Sequence, residues 1–139
     1  MLDNRYFIDT SFVIALLNKH DSYHEKAKSL MSKIRNAREV WTTEAILTEI
    51  GNAFSSSNRN DASNFIMSCY CGEKFKVVTV TNVLFKKAVS LYRSRDDKEW
   101  GLTDCISFVV MEENGLSTAM TTDRHFRQAG FIPLMLEEG

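Results

Sequence analysis

The 139-residue chain has little of what interrupts or cross-links a structure: one proline, six glycines and three cysteines. With so few breakers and no biased tract, disorder, collagen-like repeats and low-complexity linkers are excluded. Cys69, Cys71 and Cys105 are odd in number, and Cys69-Tyr70-Cys71 is C-x-C, not the C-x-x-C of zinc ribbons or thioredoxin-like sites. No disulfide framework follows from them; buried, reduced thiols are expected. Long apolar runs are missing too. Phe12 to Leu17 falls far short of the ~20 residues of a membrane span, and the Leu2-Asp3-Asn4-Arg5 stretch before it is polar. The expectation is a soluble, cytoplasmic protein with no signal peptide. Nor does one sign of charge dominate: 17 Lys and Arg against 18 Asp and Glu give a net charge of −1. Bulk charge therefore excludes a general polyanion binder, and any nucleic-acid contact has to come from a local site.

What is present suits one domain, residues 1–139, long enough to bury a single core. Residues 5–9, RYFID, read as a short buried strand, and Thr10-Ser11 offer an N-cap to the apolar helix FVIALLN. Ser22-Tyr23-His24-Glu25 has the form of a capping box and predicts a helix to about Asn36. A strand at Glu39–Thr42 precedes a helix from about Thr43 to Phe54. After a polar loop at 55–60, helical spacing resumes over 61–72. The β-branched run 74–80 reads as a third strand, followed by a helix from Asn82 to Ser94 and a charged loop, 95–101. A strongly apolar helix opens at Leu102-Thr103-Asp104 and closes at Asn114-Gly115. Residues 117–121 form a fourth strand, Asp123 caps a short helix, and 132–135 suggest a fifth strand. Strands alternating with helices, with hardly a hairpin signal, predict an α/β domain whose parallel sheet is covered on both faces.

In such a sheet the C-terminal strand ends and the following helix N-termini form the active edge. Asp9 ends the first strand, Asp123 follows the fourth, and Asp104 lies in the first turn of its helix, where the macrodipole favours a negative charge. Glu49 sits mid-helix, about 100° from the centre of the apolar face made by Ile46, Leu47, Ile50, Ala53 and Phe54, so it flanks the core side. Taken alone, each aspartate reads first as a helix cap, and Glu49 as a solvated helix residue. Together they suggest something else. Carboxylates crowded at low dielectric repel one another, and oxygen-only ligands select a hard cation, Mg²⁺ or Mn²⁺.

The segments carrying these acids are FIDTSFVIALLN, TEAILTEIGNAF, WGLTDCISFVVME and TAMTTDRHFRQAGF. In that order and spacing the chain resembles the PIN-domain ribonucleases, most closely the small single-domain VapC-type toxins, over essentially its whole length. The resemblance implies a three-layer domain with strand order 3-2-1-4-5. It implies metal-dependent endoribonuclease activity, with Asp9, Glu49, Asp104 and Asp123 as catalytic and metal-binding residues. Thr10 or Ser11 matches the hydroxyl after the first acid, and Thr122 the one before the last, as groups that orient ligands or water. A homodimer and a cognate antitoxin are implied as partners, besides RNA.

Two other acid-bearing parallel sheets fit less well. A phospho-receiver needs an acidic pair after strand one and a late lysine, and a haloacid-dehalogenase-type phosphatase needs D-x-D where Ser11 stands. An RNA-maturation nuclease or a weakly active RNA-binding module on the same fold is the alternative within the family. His20 and His24 are spaced i, i+4, as zinc ligands on one helix would be, but the Ser22 cap splits them between loop and helix. His125 either approaches the site or serves at the surface or in capping, so a histidine-dependent, metal-free ribonuclease is disfavoured. Candidate RNA contacts are Arg93, Arg95, Lys98, Arg124 and Arg127, with Trp100 either stacking on a base or packing on the following helix. Convergence of the four acids would leave a mildly basic surround about one anionic pit.

Overall fold

Tyr6, Phe7 and Ile8 are consecutive and all buried. A strand without a polar face is stable only when both of its faces are covered, and the first strand, β1 (Arg5–Ile8), lies at the centre of the sheet. The computed structural model describes residues 3–138. On either side of β1 lie β2 (Glu39–Thr43) and β4 (Thr118–Met120). Outside these are β3 (Phe75–Val78) and β5 (Ile132–Pro133). Every pairing is parallel and the order is β3-β2-β1-β4-β5, as the resemblance implies. Pro133, which has no N–H to give a ladder, stands on the short edge strand where that loss is tolerated.

The helices are α1 (Thr10–Leu17), α2 (His24–Ser29), α3 (Met31–Arg35), α4 (Glu44–Ala53), α5 (Arg59–Ser68), α6 (Asn82–Ser94), α7 (Leu102–Glu113) and α8 (His125–Gln128), with a 3₁₀ turn at Leu134–Leu136. They flank the sheet, and α4 packs against both α1 and α7. Two hydroxyls start helices directly: Thr43 Oγ1 accepts from the Ile46 N–H at 3.2 Å, and Thr81 Oγ1 from the Leu84 N–H at 3.1 Å. Each such cap contributes about 1 kcal/mol. An aromatic cluster fills one end of the core: Phe108 meets Phe126 and Trp100 edge-on, each at 5.0 Å between centroids. No helix among the described residues is long and apolar enough to cross a membrane.

Several expected boundaries move. The helix after β1 begins at Thr10, with Asp9 as its N-cap, because the Thr10 and Ser11 hydroxyls are spent on other side chains. Ser22 makes no capping box. An Asx turn, in which Asp21 Oδ1 accepts the Tyr23 N–H at 2.8 Å, delays the helix to His24. That helix also bends at Leu30, whose shallow ψ of −7° interrupts the α-geometry between α2 and α3. Residues 69–72 are turn instead of helix, and Gly72 takes a φ of +79°. The fifth strand keeps two residues before the 3₁₀ turn replaces it. Cys69 and Cys105 are buried and free as expected, and burial pushes the Cys69 thiol up to about 11. Cys71 is exposed, contrary to expectation, because it falls in the turn after α5.

Candidate active site

The register of the sheet builds the site. Ile8 pairs with Met120, and the ladder continues with the Asp9 N–H donating to the Met120 carbonyl at 3.1 Å. The next residue of each strand, Asp9 and Thr121, is therefore side by side with the other. Thr121 Oγ1 donates to Asp9 Oδ2 at 2.7 Å and accepts from the Asp123 N–H at 2.9 Å. Ser11 Oγ donates to the same Asp9 oxygen at 3.2 Å and accepts the Thr122 N–H at 3.0 Å. Asp9 is only 7 % exposed. Burial pushes its carboxyl up to about 6; the Thr121 and Thr10 hydrogen bonds oppose the rise, and the charges of Asp104 and Asp123 add to it.

Asp104 is the third residue of α7, and its Oδ2 accepts the Gly101 N–H at 3.1 Å. Its carboxyl is also held above the usual range, by burial first and then by Asp123, against the hydrogen bonds from His125 and Gly101. Asp123 folds back on its own chain: Oδ1 accepts the backbone N–H of His125 at 2.9 Å. That turn carries the imidazole to the other acids, with His125 Nδ1 at 3.1 Å from Asp104 Oδ2 and 3.3 Å from Asp123 Oδ1. Ligand atoms of Asp104, Asp123 and His125 lie within 4.8 Å of one another, a grouping able to hold a metal ion. Glu49 stands one hydrogen bond away, its Oε1 accepting the Thr10 hydroxyl at 2.6 Å.

Asp9, Asp104 and Asp123 thus come within electrostatic reach of one another, and Thr10 ties Glu49 to the start of α1 beside Asp9. The hydroxyl assigned to Thr122 is instead that of Thr121, while Thr122 contributes its backbone N–H. Two adjacent threonines follow β4, and only the register with Asp9 distinguishes them. His125, half-buried, sits within the acid group; its signal was the two-residue spacing from Asp123, which an Asx turn converts into proximity. His20 and His24 do not share a helix, and His24 Nδ1 lies 2.8 Å from the Ala15 carbonyl.

Of the two readings of Trp100, the structure has packing on the following helix, through Phe108, and not stacking on a base. Trp100 is 6 % exposed, its indole N–H donates to Gln128 Oε1 at 3.0 Å, and Arg95 lies over its ring at 4.9 Å. A buried ring under a guanidinium has no face for a base. Among the basic candidates, Arg93 and Arg124 are exposed, whereas Arg95 bonds Asp97 at 3.0 Å, Lys98 lies 3.9 Å from Asp97, and Arg127 lies 3.6 Å from Glu137.

Thr121→Val tests the hydroxyl that joins Asp9 to Asp123. It leaves the part-buried Asp123 N–H without its acceptor and removes a donor that favours the ionised Asp9, so a loss of about 1–3 kcal/mol is expected at pH 8. The Asp9 carboxyl should then titrate above its value of about 6. Urea melts at pH 8 and a carboxyl-resolved NMR titration measure the two effects; an unmoved Asp9 titration would refute the coupling.

Sequence and structure comparisons agree with this architecture. A PIN domain profile matches residues 6–132. The 23S rRNA-specific endonuclease VapC20 of Mycobacterium tuberculosis is 29 % identical over 131 residues, covering 94 % of this chain and 98 % of that protein. The crystal structure of Mycobacterium tuberculosis VapC20, described as a sarcin-ricin loop cleaving toxin, aligns with a TM-score of 0.81 and 28 % identity, over 92 % of this chain and 97 % of that one. VapBC2 from Rickettsia felis, solved bound to a DNA fragment from its promoter, aligns at TM-score 0.61 and 15 % identity over 92 % of this chain and 96 % of that chain. FitAcB from Neisseria gonorrhoeae gives TM-score 0.61 and 13 % identity over 94 % of this chain and 99 % of that chain, and these last two speak to the fold alone. A profile match that runs from β1 to β5 and takes in all four acids leaves one assignment: the chain belongs to the PIN-domain family.

Proposed function

We propose that this chain is a divalent-metal-dependent endoribonuclease that hydrolyses RNA phosphodiester bonds, and that it is the toxin of a toxin–antitoxin pair. The observation that carries this reading is the convergence of acids at the strand ends: ligand atoms of Asp104 and Asp123 lie within 4.8 Å of each other, and both charges act on the buried Asp9. Acids that destabilise one another in this way call for a cation among them. The donor set fits Mg²⁺ or Mn²⁺: the carboxylates of Asp9, Asp104 and Asp123 with Glu49 beside them, and no thiolate. The 29 % identity to VapC20 over nearly the full length of both chains supports the same reaction class, and makes 23S rRNA the first substrate to try.

Asp9, Asp104 and Asp123 would hold the ion. When bound, it supplies Lewis acidity toward phosphate oxygens and water. Ser11 and Thr121 fix the Asp9 carboxylate, so that its orientation is set before substrate arrives. Thr10 engages Oε1 of Glu49, which leaves Oε2 to accept a proton from the attacking water. With water as the nucleophile and the RNA 2′-hydroxyl idle, the products carry 5′-phosphate and 3′-hydroxyl ends. Arg93 and Arg124 are the exposed cations best fitted to meet the RNA backbone. An antitoxin that covers the site and a homodimeric state complete the toxin reading.

The test is cleavage of 23S rRNA with Mn²⁺ or Mg²⁺, with and without chelator. Cleavage should vanish in chelator and return with either metal, and RNA binding should weaken with chelator and with salt. Hydrolysis that persists in chelator would refute the mechanism. Growth arrest on expression, relieved by a co-expressed neighbouring gene, separates a toxin from a maturation nuclease.

A further inference from the structure

We propose that His125 is a metal ligand through Nδ1, and that it biases the site toward transition-metal ions such as Mn²⁺ and Co²⁺ over Mg²⁺. The inference rests on the nuclease reading above and adds to the four acids a nitrogen donor that this reading does not require. The geometry points to it. Nδ1 faces two carboxylate oxygens from different segments, 3.1 Å away on Asp104 and 3.3 Å away on Asp123. Neighbouring ligands on one divalent ion, with bonds near 2.1 Å, stand roughly 3.0–3.4 Å apart in octahedral or tetrahedral arrangements. Both separations fall in that range.

The imidazole is held there by the backbone. The Asp123 carboxylate accepts the His125 N–H at 2.9 Å, and the next residue, Phe126, is fully buried and anchors the turn. A ring fixed in this way costs little to order when an ion binds. Its side chain is 23 % exposed, so an ion can reach the nitrogen from solvent. Carboxylates alone favour Mg²⁺ and Mn²⁺ about equally in ligand type, whereas an imidazole strengthens binding of later first-row ions and does little for Mg²⁺. His125 is thus a specificity-determining ligand in a site otherwise made of oxygen.

The competing role is a hydrogen-bond donor that only positions Asp104 and Asp123. His125→Asn separates the two, because its amide nitrogen can take the place of Nδ1 as a donor yet is a poor metal ligand. Full-length protein is titrated with Mg²⁺, Mn²⁺ and Co²⁺ by calorimetry, and the Mn²⁺-loaded form is examined by electron spin-echo envelope modulation. Wild type should show modulation from a directly bound nitrogen, and the variant should lose it. Mn²⁺ and Co²⁺ affinity should fall roughly tenfold or more in His125→Asn while Mg²⁺ affinity changes less than about threefold. His125→Gln serves as a second variant, and circular dichroism melts check that both fold. Nitrogen modulation absent from a wild-type protein that does bind Mn²⁺ overturns the ligand assignment and leaves the nuclease reading standing. Equal losses for all three ions likewise overturn it and support positioning alone. Wild type that binds no divalent ion overturns both.

Discussion

Replacing Asp9 by Asn is expected to abolish RNA cleavage and, at the same time, to stabilise the metal-free protein. Both effects come from one buried charge. Asp9 titrates at about 6 in the folded chain against 3.8 as its ordinary value, chiefly because burial strips its carboxylate of water. The sign follows from proton counting. Below pH 3.8 both folded and unfolded chains hold the proton and Asp9 is neutral to stability. Between 3.8 and 6 the unfolded chain has released it and the folded chain has not, so stability falls as pH rises. Above 6 the penalty is constant, on the order of 3 kcal/mol for a difference of about two pH units.

Asn keeps an oxygen for the Thr121 and Ser11 hydroxyls and carries no charge. Its amide needs an acceptor of its own, which offsets part of the gain. A net stabilisation of about 1–3 kcal/mol at pH 7.5 should remain, shrinking toward zero near pH 4, as thermal melts in chelator would show. Mn²⁺ should reverse the order, raising the melting temperature of wild type far more than that of the variant, by preferential binding to the folded state. Cleavage should fall by about 10²-fold or more. A variant that is destabilised equally at pH 4 and pH 7.5, or that still cuts RNA at the wild-type rate, would remove Asp9 from the role given to it.

What the sequence disclosed, and what it withheld, follows from the range of the forces involved. The strand order was legible through its resemblance, and the strands themselves through unbroken apolar runs: Tyr6-Phe7-Ile8 can only be a doubly covered strand. The bounds of α6, Asn82–Ser94, match expectation because a Thr81 cap starts it locally. Helix starts fail where a hydroxyl has a distant partner. Thr10 and Ser11 look like caps in sequence, but Glu49 takes the first across 39 residues, and the Ser11 oxygen is spent on Asp9 and on the Thr122 N–H 111 residues away. Trp100 shows the same limit from the apolar side. Packing on the following helix, where Phe108 stands, was one of two readings open in sequence, but nothing near Trp100 announces Gln128, whose side chain takes the indole N–H. The positions of Asp9, Asp104 and Asp123 were readable because each belongs to a strand end or a helix start. The choice of Thr121 over Thr122, and the arrival of His125, needed the register and one Asx turn.

That turn depends on very little chain, which makes Phe126 the most consequential apolar residue for the site. Helix α8 spans four residues, too short to persist by backbone hydrogen bonding alone, and Phe126 is its one buried residue. Its ring has no solvent exposure, meets Phe108 edge-on at 5.0 Å and lies 6.3 Å from Phe7 at the heart of β1. Phe126→Ala removes that contact and leaves a cavity between sheet and helix, so a loss of about 3–5 kcal/mol is expected. For a domain of this size the melting temperature should fall by roughly 10–20 °C. Phe126→Leu, which refills most of the space, should cost about 1–1.5 kcal/mol. The site should suffer beyond the stability loss, because Asp123 and His125 are the residues α8 holds against Asp104. At a temperature where Phe126→Ala is still folded, its Mn²⁺ affinity should be weaker than that of Phe126→Leu, by calorimetry on both. Equal affinities would mean that the Asp123 turn stands without its aromatic anchor, held by the Thr121 hydroxyl and the 2.9 Å bond to the His125 N–H alone.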